Sequence, residues 1–161
     1  VGSLENIRKA KEYLNLAKEQ LKERKQQFDE QIRIGIMIEI PAIALIADLA
    51  AEEVDFASIG SNDLTQYLSA ADRMNPEVAA YYKSDSTAML RLLGFVFREF
   101  SKREKEISVC GEMAGNPETA QLLVGLGARK LSMSSGNIAG VKAKLAECTL
   151  QELTALAEKK L

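Results

Sequence analysis

Histidine is missing altogether from the 161 residues. That excludes serine–histidine and cysteine–histidine nucleophilic sites, histidine-ligated zinc, and any phosphohistidine carried on this polypeptide. Cysteine is scarce: Cys110 and Cys148 fit neither a disulfide framework nor a Cys-x-x-Cys metal site, so reduced thiols in a cytoplasm are expected. No apolar run is long enough to span a bilayer, and the densest, residues 41–51, has the length of a core helix. The stretch Val1-Gly2-Ser3-Leu4 lacks a basic segment followed by an apolar one, so no secretion signal is expected. Excess positive charge is lacking too. With 21 Lys and Arg against 23 Asp and Glu, and a pI near 5.4, the chain has no electrostatic footprint for nucleic acid or an anionic membrane surface.

What is present is an ordinary globular composition, 47% hydrophobic and 27% charged, enough for a single domain over residues 1–161 with a real core. Its chemistry concentrates in Phe56-Ala57-Ser58-Ile59-Gly60-Ser61-Asn62-Asp63-Leu64-Thr65-Gln66-Tyr67. The first residues suit a buried strand covered on both faces, Gly60 allows a turn, and Asn62 or Asp63 can cap the helix that follows. A carboxylate and free backbone N–H groups then lie at the carboxyl end of a strand, the edge where ligands bind in α/β folds. A capped turn with no ligand is the alternative.

Upstream, residues 3 to about 27 predict an amphipathic helix, with Ser3 as N-cap and Leu4, Ile7, Ala10, Leu14, Ala17 and Leu21 spaced by threes and fours. Isoleucines 32, 34, 36, 38 and 40 then alternate with other residues and predict a strand. Glu39 interrupts that strand's end, just before Pro41, which fits the first turn of a helix running to about residue 53. Glu39 either caps that helix or joins Asp63 at neighbouring strand ends, where two carboxylates suit a hard divalent metal.

Downstream, the turn Asp72-Arg73-Met74-Asn75-Pro76 carries an arginine able to grip a phosphate or carboxylate, or simply to face solvent. Residues 77–85 predict a loop and residues 86–105 a helix with Met89, Leu92, Leu93, Val96 and Phe100 inward. A third strand, residues 107–110, runs into Gly111 and a helix start, so Cys110 is either a polarised thiol or a small core residue. Residues 117–126 form a helix closed by Gly127, residues 130–135 a fourth strand ending in serines, residues 138–146 a helix, and Thr149-Leu150-Gln151-Glu152 a capping box opening the last helix.

Strands alternating with helices predict a parallel sheet, and polar residues at successive strand ends (Glu39, Asn62 and Asp63, Cys110, Ser134) are the pattern of a (βα)8 barrel. Four strands in 161 residues amount to half of a barrel that needs about 250. The fold class expected is therefore α/β, the C-terminal half of a TIM barrel with about four parallel strands, completed by another chain or a second copy.

The motifs Gly35-Ile36-Met37-Ile38-Glu39-Ile40-Pro41, the residue 56–67 stretch, Ala71-Asp72-Arg73 and Cys110-Gly111-Glu112-Met113-Ala114-Gly115 together resemble the phosphoenolpyruvate-binding barrel of enzyme I of the bacterial sugar phosphotransferase system. Pyruvate phosphate dikinase and phosphoenolpyruvate synthase share relatives of these motifs. The resemblance implies that Glu39 and Asp63 ligate Mg²⁺, and that Asn62 and the backbone N–H groups of Asn62 and Asp63 cradle the phosphate together with Arg73. It implies that Cys110 protonates the methylene carbon as pyruvate forms. It also implies a homodimer whose phosphoryl acceptor is a histidine on a separate domain. Departures accompany it: that domain and the first four barrel strands are absent, Asn116 stands where the family usually has Asp, and Ser61 where it usually has Thr. A half-barrel serving as a binding or dimerisation unit is the competing expectation.

Overall fold

In the computed structural model, which describes residues 1–161, Ser3 is extended and accepts a hydrogen bond from the Asn6 N–H, opening α1 (Leu4–Glu23). The helix stops short of residue 27 because Lys25 turns into the left-handed region at φ 56°. Of its apolar stripe only Ile7 is buried, while Arg8 and Lys11 both pair with Glu53.

β1 (Gly35–Ile38) is shorter than the isoleucine alternation, and pairing explains why. It runs parallel to β2 (Phe56–Gly60), whose first residue lies opposite Gly35, so residues 32–34 have no strand to join. Gly35 is required there, since a Cβ would sit 2.3 Å from the Phe56 ring. Between the two strands the expected single helix is two, α2 (Pro41–Ala44) and α3 (Ala47–Glu53), broken where Ile46 leaves the helical region.

β2 leads into α4 (Ser61–Ser69), a 3₁₀ turn over Pro76–Tyr81, and α5 (Thr87–Lys102), with Ser86 capping α5. β3 (Glu106–Cys110) pairs in parallel with β2, giving the order β1-β2-β3. α6 (Glu112–Gly115), α7 (Pro117–Leu126), α8 (Ser135–Ala146) and α9 (Leu150–Glu158) follow, α9 opened by the anticipated capping box.

The fourth strand expected over residues 130–135 is reduced to one parallel bridge between Val109 and Leu131. Val109 donates to the Lys130 carbonyl at 3.0 Å and accepts from the Ser132 N–H at 2.8 Å. Pairing goes no further because Ser134 and Ser135 are drawn into the start of α8.

Alternation divides the sheet into two faces. Ile36, Ile38, Ala57, Ile59 and Val109 are buried against the helices, among them α5, whose Met89, Leu92, Leu93, Val96 and Phe100 all point inward as their spacing predicts. The second face carries Met37, Ser58 and Ser108 in one register row. It is not covered as the sequence of β2 implied: Met37 is exposed and both serines are half-buried. At its amino end, an ion chain links Arg33 to Glu106 and Glu106 to Lys130.

A Cβ on Gly125 of α7 would lie 2.1 Å from the Leu153 carbonyl oxygen of α9, so Gly125→Ala forces those helices apart. It is expected to lower stability by about 1–3 kcal/mol, read from the midpoint of urea unfolding. Glu99 of α5 pairs with Lys102 at 2.8 Å and Arg103 at 3.0 Å. The Lys102 hydrogen bond above all, opposed by burial and aided by Arg103, holds its carboxyl below the usual carboxylate range. Its stabilisation is thus fully present above the unfolded value of about 4.3 and is lost as pH falls through the lower folded value. Glu99→Gln should therefore flatten the acid limb of a stability-against-pH curve below about pH 4.3.

Candidate functional site

All three strands run the same way, so their carboxyl ends share one edge. Cys110 pairs with Gly60, and Ile38 with Ile59, so the register carried one residue further sets Glu39 opposite Gly60. Glu39 and Cys110 thus flank Gly60 on one face. The Glu39 carboxylate lies across the bare glycine: a Cβ at Gly60 would come within 3.0 Å of Glu39 Oε2. Glu39 does not cap the Pro41 helix, whose N-cap is Ile40, and no hydrogen bond or ion pair engages its carboxylate.

Nor do Asn62 and Asp63 cap the helix that follows β2. Gly60 occupies the N-cap position with no side-chain hydrogen bond, leaving Asn62 and Asp63 in the first turn of α4. Their N–H groups are therefore not taken by a capping side chain, and the helix end presents them to the strand-end edge. Asp63 Oδ1 lies 3.7 Å from the Arg73 guanidinium, so the turn expected to carry an arginine does bring it back over α4. The Arg73 N–H also donates to Gln66 Oε1 at 3.2 Å.

Asn62 is held from two sides. Its Oδ1 accepts from the Glu112 N–H at 2.9 Å, and its main-chain carbonyl accepts from the Tyr82 hydroxyl at 3.1 Å. Because a backbone N–H must meet an acceptor, the amide is oriented with Nδ2 as its remaining donor. Ser61 is buried and its hydroxyl donates to the Cys110 carbonyl at 2.6 Å, tying β3 to the head of α4. The Cys110 thiol itself donates to the Ile59 carbonyl at a sulfur distance of 3.4 Å.

Gly111 makes this closeness possible. It sits at φ +96°, and a Cβ there would lie 2.5 Å from Ser61 Oγ and 2.8 Å from Asn62 Oδ1. Above it are two adjoining clefts that share Asn62 and Glu112. One, of about 500 Å³, is completed by Arg73, Met74 and Tyr82. The other, of about 280 Å³, is lined further by Ser132, Ser134 and Asn137. Burial first, then the Glu112 carboxylate, pushes the Tyr82 phenol above its usual value, with Arg73 opposing and Asp63 adding to the rise.

The residues nominated from sequence, Glu39, Asn62, Asp63, Arg73 and Cys110, all lie along this edge. No group of three or more potential ligands is gathered into a ready-made metal cage. Two carboxylates are nevertheless a fitting set for Mg²⁺, which keeps waters and takes substrate oxygens beside one or two carboxylates. Missed from sequence were Tyr82, Glu112 as the partner of Asn62, and Ser61 as a strand-to-helix tie. Each acts across a gap of twenty or more residues, and no local pattern marks such a pairing. Asn116 caps α7 by accepting from the Glu118 and Thr119 N–H groups at 3.0 Å each.

Gly111→Ala combines left-handed strain with a clash against Asn62, and a loss of about 1–3 kcal/mol is expected. Urea unfolding measures that loss. An amide spectrum in which the shifts of Asn62 and Glu112 move more than those of α7 and α9 would place it at the strand-end edge.

Comparison with known proteins gives the kinship of this chain. Residues 1–150 match the family described as PEP-utilising enzyme, PEP-binding domain. The chain is 44% identical over 152 residues to the multiphosphoryl transfer protein 2 of Escherichia coli (strain K12), covering 94% of this chain and 18% of that protein. It is 40% identical over 153 residues to the phosphoenolpyruvate-protein phosphotransferase of Priestia megaterium, covering 95% of this chain and 27% of the relative. To the protein of the same name from Bacillus subtilis (strain 168) it is 40% identical over 159 residues, 99% of this chain and 28% of that one. The chain therefore spans under a third of the length of these relatives.

Proposed function

This chain belongs to the PEP-utilising enzymes, whose PEP-binding domain it matches, and on that premise we propose that it supplies the strand-end half of a Mg²⁺–phosphoenolpyruvate site in a phosphoenolpyruvate-protein phosphotransferase. One observation carries the reading: Glu39 and Cys110 flank Gly60 on one sheet face, while Asn62 and Asp63 open the helix that starts directly from that glycine. The barrel is part of the same proposal. The three parallel strands and the Leu131 bridge are one segment of a (βα)8 barrel, and the remaining strands, with further cationic substrate ligands, come from outside this chain. In the same reading residues 1–161 form one cytoplasmic unit that functions as a homodimer.

In this reading Glu39 and Asp63 hold Mg²⁺, which when bound offsets the charge on the phosphate and carboxylate oxygens of the substrate. The N–H groups of Asn62 and Asp63 and the Asn62 Nδ2 donate to the phosphate, and Arg73 adds a fixed positive charge. As the bond between phosphorus and the enol oxygen breaks, the phosphoryl group passes to a histidine nitrogen on another domain, since no histidine exists here. The enolate left behind takes a proton at its methylene carbon from the Cys110 thiol: a C–H bond forms, the S–H bond breaks, and pyruvate leaves. Cys110 sits on the same face as Glu39, one strand beyond Gly60, and in this reading it serves the carbon end of the substrate.

Calorimetric titration of phosphoenolpyruvate into the chain tests this. Binding is expected with Mg²⁺ and not after chelation, and it should fall at least tenfold in Glu39→Ala and in Asp63→Ala. Cys110→Ala should retain affinity within about threefold, since in this role the thiol acts on the departing enolate rather than on binding. Binding that ignores the metal and survives both carboxylate variants would overturn the assignment. The isolated chain should transfer no phosphoryl group to any acceptor.

A further inference from the structure

The segment 71–86 is an excursion between α4 and α5 whose central 3₁₀ turn buries no residue. Such a segment has little apolar contact to hold it, so its position rests on its few polar ties. At its start the Ala71 N–H closes onto the Gln66 carbonyl at 3.1 Å, the Arg73 N–H meets Gln66 Oε1, and the Arg73 guanidinium faces Asp63. At its end Asp85 reaches Lys160 at 3.7 Å and Ser86 caps α5. Between Met74 and Ser84, the remaining side-chain hydrogen bonds stay inside the loop, except one. That one is the Tyr82 hydroxyl on the Asn62 carbonyl, 3.1 Å away and twenty residues back.

Two features make that tie more than a strut. It lands on Asn62, the residue whose side chain is already oriented by the Glu112 N–H, so main chain and carboxamide are held independently. And Tyr82, Arg73, Asn62 and Glu112 line one cleft, so whatever fixes Tyr82 fixes the wall that faces Arg73. The neighbouring Tyr81 is 70% exposed and its hydroxyl makes no hydrogen bond, although the two aromatic residues are indistinguishable in sequence.

We propose that Tyr82 is a positioning residue: by donating to the Asn62 carbonyl it pins segment 71–86 over the head of α4, holding Arg73 and the Asn62 amide in one phosphate-facing cleft. This rests on the reading of Asn62 and Arg73 as phosphate-binding groups. The Tyr82 hydroxyl hydrogen-bonds to neither proposed metal-binding carboxylate, Glu39 or Asp63, nor to Cys110. Its loss should be felt by the phosphate group alone.

Tyr82→Phe keeps the ring and removes only the hydroxyl. The intact chain, with Mg²⁺ present, is titrated with phosphoenolpyruvate, inorganic phosphate and pyruvate in wild type, Tyr82→Phe and Tyr81→Phe. Tyr82→Phe is expected to weaken phosphoenolpyruvate and phosphate by about three- to tenfold, as loss of one hydrogen bond implies, and to leave pyruvate within twofold. Tyr81→Phe should match wild type throughout. Amide hydrogen exchange in Tyr82→Phe should speed up over residues 74–84 and stay unchanged in α5 and α7. Unchanged phosphate affinity in Tyr82→Phe, or an equal loss for all three ligands, overturns the positioning role while leaving the site standing. A wild-type chain that binds none of the three would show that the strands supplied from outside are indispensable to the site, and this inference, which needs the chain's own half to hold phosphate, falls with that result.

Discussion

Parallel hydrogen bonding on both sides of β2 forces the carboxyl ends of three strands onto a single edge, and every polar residue of interest depends on that arrangement. An antiparallel neighbour would carry Glu39 or Cys110 to the far end of the sheet. With the strands parallel, their separation across the edge is set by strand spacing alone, about 5 Å per step. Two glycines then admit what that spacing would otherwise exclude. Gly60 leaves room for the Glu39 carboxylate, and Gly111 leaves room for the Ser61 hydroxyl and the Asn62 amide. The edge is crowded, and it is crowded with oxygen and nitrogen rather than methyl groups.

Much of this was legible in the sequence because it is governed by neighbours in the chain. Ser3 caps α1 just ahead of its apolar repeat, Thr149 caps α9 where its spacing to Glu152 says it should, and the inner face of α5 follows from period alone. The places of Glu39 and Cys110 at the ends of strands were likewise visible as an acid and a thiol closing short apolar runs, whereas Asp63 lies in the first turn of α4. What could not be read is whatever depends on a second segment. β1 is cut to four residues by where β2 begins, and the fourth strand shrinks to a bridge because its serines are recruited by a helix. The N-cap of α4 is Gly60 rather than Asn62, since Asn62 is claimed by a backbone N–H fifty residues away.

The two departures from the family pattern acquire physical content in the structure. Ser61 spends its hydroxyl on the Cys110 carbonyl, a bond that a threonine hydroxyl can also make, so this exchange leaves the strand-to-helix tie in place. Asn116 accepts from two backbone N–H groups as the cap of α7, the task that a carboxylate performs equally well at a helix start. Neither substitution disturbs the edge built from Glu39, Asn62, Asp63 and Cys110.

The ion chain of Arg33, Glu106 and Lys130 lies at the opposite end of the strands from Glu39 and Cys110. Its members are largely exposed, so each pair contributes modestly and can be exchanged at small cost. The sheet is thereby divided lengthwise into an end tied by exposed ion pairs and an end that carries Glu39 and Cys110. A lineage adapting to a hotter or saltier habitat can rewrite the first without rewriting the second. Divergence among related chains should accordingly accumulate unevenly along the same three strands, fastest where they enter the sheet and slowest where they leave it.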